Sequence, residues 1–73
     1  MKPLVVVQIM DGVPTVEVIK GKAEVIVWSW DVVEGGTRKE VLAAIREARK
    51  LPDTYAAKKA ILYDMRESLK GTK

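Results

Sequence analysis

The chain has no histidine, no cysteine and no phenylalanine, and its aromatic content is two tryptophans and two tyrosines. Each absence removes a class of chemistry. Without histidine the commonest general base is missing, and without cysteine there is neither a thiolate nucleophile nor a soft metal ligand. Ser29 and Ser68 are the only serines, and no triad can be assembled around either. The expectation is a protein that is not an enzyme and takes no cofactor, metal or small molecule. The lack of cysteine also rules out a disulfide framework and fits a reducing compartment, so a cytoplasmic location is expected. Long apolar runs are missing too. The stretch 4–10 is interrupted by Gln8 and followed by Asp11. It is far short of the ~20 residues a membrane span needs, and it lacks a signal peptide's cleavage region.

What is present is the composition of a folded domain. Of 73 residues, 48% are hydrophobic and 32% charged, enough for one core and too few for two, so residues 1–73 read as a single domain. Charge is unevenly spread. Residues 1–36 hold three Lys against five acids and residues 37–73 hold ten Lys or Arg against five acids, so −2 and +5 make the net +3. The basic character lies in the second half.

Hydrophobic periodicity changes at Gly35-Gly36. Before it, apolar residues recur with a period of two; after it, with a period near 3.6. Residues 4–10 form a β-branched run that meets Asp11-Gly12, the pair favoured where both central residues of a tight hairpin turn need positive φ. A second strand over 13–19, a turn at Lys20-Gly21-Lys22 and a third strand over 23–30 complete an antiparallel β-meander within 4–31. Pro14, which cannot donate to a ladder, suits a strand start or a bulge. Thr37-Arg38-Lys39-Glu40 is a capping box that opens a helix with the stripe Val41, Leu42, Ala44, Ile45 and Ala48, and Leu51-Pro52 ends it. Asp53 is placed to cap a second helix carrying Ala57, Ile61, Leu62, Met65 and Leu69, which Gly71 stops; Lys70 to Lys73 should fray. The expected fold class is α+β: a three-stranded antiparallel meander, then a helical hairpin over 37–70 packed on one sheet face, in the order βββαα.

Register then divides the side chains. A two-residue turn at Asp11-Gly12 sets Val7 opposite Val16 and Val5 opposite Val18. A two-residue second turn brings Val25 and Val27 to the same face. That face, with Ile9, is wholly aliphatic and is the expected floor for the helices. The opposite face carries Val6, Gln8, Met10, Val13, Thr15, Glu17, Ile19, Glu24, Ile26, Trp28 and Trp30, with no element to cover it. An exposed tryptophan pair points to a partner surface, so Trp28, Trp30, Ile26, Val13, Met10 and Val6 are the expected protein interface, self-pairing being the simplest use. A three-residue second turn would slip the third strand by one and put both tryptophans in the core. Alternatively, the tryptophans cap the sheet edge or pack under the linker that follows them.

Other constellations are weaker. Asp31 with Glu34 has the oxygen ligands of a hard-cation site, but two linker carboxylates more often serve as solvated charges or a local cap. Gly35-Gly36-Thr37-Arg38-Lys39 has glycines entering a helix beside two cations, yet lacks P-loop spacing, and Glu40 would repel an anion. Asp64 and Glu67 read as the wet face of the second helix. The rival to protein binding is nucleic-acid contact through Arg46, Arg49, Lys50, Lys58, Lys59 and Arg66 on the basic helices. Against it, Glu40, Glu47, Asp64 and Glu67 interleave with these cations at ion-pairing distances along the helix.

In the "DGVPTVEV" hairpin start and the "AEVIVWSWD" strand, residues 4–31 resemble small uncharacterised proteins of phages and mobile elements. The resemblance lies in a Gly-Val turn, a Val-x-Val strand and an aromatic-Asp ending. It implies a non-catalytic accessory role, such as blocking a host defence complex by binding one of its proteins. In size and in lacking catalytic motifs the chain is similar to anti-CRISPR proteins.

Overall fold

A computed structural model describes residues 3–20 and 23–71. Three strands, β1 (Pro3–Met10), β2 (Val13–Lys20) and β3 (Glu24–Ser29), precede three helices, α1 (Trp30–Gly35), α2 (Arg38–Arg49) and α3 (Lys58–Lys70). The chain is α+β, but it is not a meander. The strand order is β2-β1-β3, with β1 antiparallel to β2 and parallel to β3. Gly21 and Lys22 of the expected second turn, and the end of the tail at 72 and 73, lie outside the described residues.

The strand order follows from what each strand can tolerate. β1 carries no charged residue and is hydrogen-bonded on both sides. β2 carries Pro14, Glu17 and Lys20 and takes an edge, where a missing ladder donor and charged side chains cost least and discourage pairing with another chain. A meander would have put this strand in the centre. β3 therefore pairs with the free side of β1, Val5 against Val25 and Val7 against Val27.

The first hairpin is as expected. Asp11 and Gly12 both have positive φ, 52° and 75°, and the register pairs Val7 with Val16 and Val5 with Val18. This matches the primed turns that follow the strand twist. The carboxylate of Asp31, in the first turn of α1, accepts from Asp11 N at 2.8 Å and from Gly12 N at 3.0 Å. Asp31 thus acts as a cap, tying the hairpin turn to the start of the helical layer. Asp31→Ala is expected to cost about 1 to 2 kcal/mol, measured by urea unfolding, because two charge-assisted bonds are lost at an exposed site.

α1 is a third helix that the periodicity did not reveal, and Trp30 begins it instead of ending a strand. Six residues are too few to show a repeat of 3.6. Gly36 N–H closes α1 onto the Val32 carbonyl at 2.7 Å. A Cβ on Gly36 would stand 2.5 Å from that same oxygen, so the joint between α1 and α2 needs glycine. The capping box of α2 is present: Thr37 Oγ1 accepts from Glu40 N, and Glu40 Oε1 accepts from Thr37 N at 3.0 Å. Val41, Ala44, Ile45 and Ala48 are buried as the stripe requires, while Leu42 is exposed. Asp53 does not cap the last helix. Residues 53–57 form turns, α3 starts at Lys58, and Asp53 pairs instead with Lys58 Nζ at 3.0 Å. Ile61 and Met65 face the core.

The largest correction concerns the sheet faces. The two sets of residues are as the register predicts, but the helices pack on the other set, over β1 and β3, and leave Met10, Val13, Thr15 and Glu17 of that set exposed. Leu4, Val6, Ile26 and Trp28 are buried with Val33, Val41, Ile45, Leu51 and Met65, and Trp28 is only 3% exposed. This face holds the bulk. Two indole rings bury about 150 to 250 Å² each, more than short valines can. Its polar residues do not oppose this: Gln8, the half-buried one, is hydrogen-bonded, while Thr15, Glu17 and Glu24 stay exposed, the two glutamates with partners at the edge of the helical layer. Gln8 Oε1 accepts from Trp30 Nε1 at 2.9 Å, Glu17 accepts from the Tyr55 hydroxyl at 2.8 Å, and Glu24 lies 3.8 Å from Lys50 Nζ.

Candidate functional site

Covering the tryptophan face leaves the aliphatic face open. Valines 16, 18, 25 and 27 are 61%, 63%, 58% and 41% exposed, with Val5, Val7 and Ile9 partly buried between them on the central strand. β-branched residues make good strands because their side chains pack across neighbouring pairs, and here the pairs Val5–Val18, Val7–Val16, Val5–Val25 and Val7–Val27 tile the sheet without a gap. Pro3, Pro14, Lys20 and Ser29 stand at the ends of the same face by register. From these exposures the patch is on the order of 500 Å², within the ~300–600 Å² of the largest patch on a typical monomer, which is often functional.

The expected interface residues are divided by this arrangement. Val6, Ile26 and Trp28 are in the core and out of reach of any partner, and Trp30 is largely covered, its ring 6.1 Å from that of Trp28 in a T-shaped contact. Met10 and Val13 are exposed at the tip of the hairpin. The open residues are legible in the sequence as an aliphatic face, but they are not the floor of the core. Met10 also borders a depression of about 390 Å³ lined by Gln8, Trp30, Val33, Glu34, Asp64 and Ser68, whose carboxylates face solvent.

The basic residues lie in the helical layer. Lys50 Nζ is held by Glu47 at 2.8 Å and Lys58 Nζ by Asp53, so two of the six expected phosphate contacts are already neutralised. Arg46, Arg49, Lys59 and Arg66 are exposed and form no salt bridge among the described residues. Among the described residues, no three acidic, histidine or cysteine side chains are grouped to hold a metal, and no helix is long and apolar enough to cross a membrane.

Electrostatics serve the packing of helices on the sheet. Hydrogen bonding by Lys50, and a longer one from Val27 N at 3.5 Å, hold the Glu47 carboxyl below the ordinary carboxylate range and fix α2 to the outer edge of β3. The Thr37 backbone and hydroxyl lower Glu40, and Lys58 lowers Asp53. Lys50 is raised by Glu47, and burial followed by Glu17 raises the Tyr55 phenol. For the three carboxyls the folded chain binds protons less readily than the unfolded one. Their contribution is therefore complete above the ordinary value and is lost as pH falls through the lowered one. For Lys50 and Tyr55 the contribution is present below the ordinary value and lost as pH rises through the raised one. The thermal midpoint is expected to be flat near neutrality, to fall below about pH 4.5 and to fall again above about pH 10, with small amplitudes because the groups are exposed.

Comparison with protein-family models, with curated proteins and with solved structures finds no match to this chain, so the reading of the open face rests on its own chemistry.

Proposed function

We propose that this chain is a non-catalytic protein-binding module whose docking surface is the open face of its sheet. The supporting observation is the exposure of the valines of β2 and β3 on a face with no charged residue inside its apolar area. Leaving about 500 Å² of apolar surface in water forgoes about 12 kcal/mol of gross burial free energy, comparable to the cost of association. A partner that covers it recovers that term. An inhibitor of a host complex, the role implied by the resemblance of residues 4–31, needs such a surface as its means of attachment. The test is binding of an apolar dye, 1-anilinonaphthalene-8-sulfonate, by the folded chain at high dilution. Binding that disappears in Val16→Lys, Val25→Lys supports a docking face, and a folded wild type that neither binds dye nor associates contradicts it.

A second reading uses the opposite side of the molecule. Arg46, Arg49, Lys59 and Arg66, without salt-bridge partners among the described residues, offer a basic helical surface to phosphates. Gel shifts of DNA or RNA that weaken steeply with salt would support it, and no shift even at low salt would remove it.

A further inference from the structure

We infer that the occupant of the open sheet face is a second copy of this chain, joined face to face about a two-fold axis lying between the two sheets. The inference rests on the docking role argued above and names its partner. The face is built from Val5, Val7, Val16, Val18, Val25 and Val27, all short, branched and of one size, so its relief is low and it is complementary to itself. Two such faces stack about 10 Å apart with their strands slightly rotated, as in sandwiches.

Area favours a copy over a different protein. One face supplies about 500 Å² of apolar surface, so two copies bury about 1,000 Å², the lower bound for a biological interface and the size of a weak one that reverses on dilution. A different partner must bring its own apolar patch of this size, whereas a copy supplies one by symmetry. Charge does not oppose the pairing. Among the described residues Lys20 is the only charged residue on this side, and the register puts it at a corner, opposite Pro3. The molecule is also thin, 17 Å in its shortest dimension, with one sheet and one helical layer. Pairing gives four layers in the order helix, sheet, sheet, helix, and covers the valine side of all three strands, the side that has no helix of its own.

The test compares the wild type with Val16→Lys, Val25→Lys by light scattering during size exclusion over a range of loading concentrations, with the same dye as probe. The wild type is expected at twice the 8.1 kDa chain mass when concentrated and to fall toward 8.1 kDa on dilution, with dye bound per chain rising as it dissociates. The variant is expected at 8.1 kDa throughout, with the wild-type circular dichroism spectrum and little dye bound. Val16→Thr, Val25→Thr keeps strand-forming side chains of the same shape and covers the case in which lysine unfolds the sheet. It is expected to weaken association at least about tenfold. A wild type that is monomeric at every concentration, or folded variants that stay dimeric, overturns self-pairing. The dye separates the two levels of the proposal. A monomeric wild type whose dye binding is lost in the variant overturns only the second copy, whereas one that binds no dye overturns the docking face as well.

Discussion

Trp28→Ala is expected to remove about 3 to 5 kcal/mol of stability, the range for deleting a large aromatic from a packed core. A domain of this length has roughly 4 to 11 kcal/mol in total, so the variant should be substantially unfolded or melt far below the wild type. The cost arises because Trp28 is 3% exposed and its ring packs edge-on against Trp30, so truncation leaves a cavity between the sheet and the helices. The same change on the open face, Val16→Ala, should fall within about 0.5 kcal/mol in the dissociated chain. Urea unfolding followed by far-ultraviolet circular dichroism separates the two. A loss under 1 kcal/mol for Trp28→Ala would place that side chain outside the core.

Trp28→Phe sharpens the point. Trp28 Nε1 is buried with no hydrogen-bond partner among the described residues, whereas Trp30 Nε1 donates to Gln8. Phenylalanine at 28 loses contact area but also removes an unpaired donor worth about 1 to 3 kcal/mol of desolvation, so the two effects nearly cancel. The two tryptophans, two residues apart, serve different purposes. One fills volume, and the other fills volume and satisfies the one amide side chain on the covered face.

Much of this was readable from the residues. Asp11-Gly12 fixed the hairpin register, the register divided the side chains into two sets, Thr37 to Glu40 marked the start of α2, and the spacing of Val41, Ala44, Ile45 and Ala48 marked its inner stripe. The choice of covered face was not readable from polarity. Counting polar residues favours covering the valines, but Gln8, Glu17 and Glu24 are each satisfied by a residue distant in sequence, Trp30, Tyr55 and Lys50. Those partners exist only once the chain has folded. Side-chain volume was the better guide, since Leu4, Ile26 and Trp28 share one face and the other holds mainly valine. The position of β3 has a signal in the sequence of β2. Pro14 and the charges of β2 mark an edge strand, and an edge strand cannot sit in the middle of a three-stranded meander. The late start of α3 had none, because the residues around Asp53 permit a cap and only the turns at 53–57 remove it.

The central claim is that Ile26 and Trp28 of β3 belong to the core, and Val25 and Val27 to an open surface. Adjacent lysine substitutions test it most directly, with both variants diluted until monomeric and followed by circular dichroism and thermal unfolding. Ile26 is fully buried in a core without a charged residue, so Ile26→Lys places an ammonium where nothing can pair with it and is expected to abolish folding. Val25 is 58% exposed, so Val25→Lys is expected to keep the wild-type spectrum and a stability within about 1 kcal/mol. A folded Ile26→Lys beside an unfolded Val25→Lys would contradict the account, because it would put the helices on the valine face and the tryptophans outside.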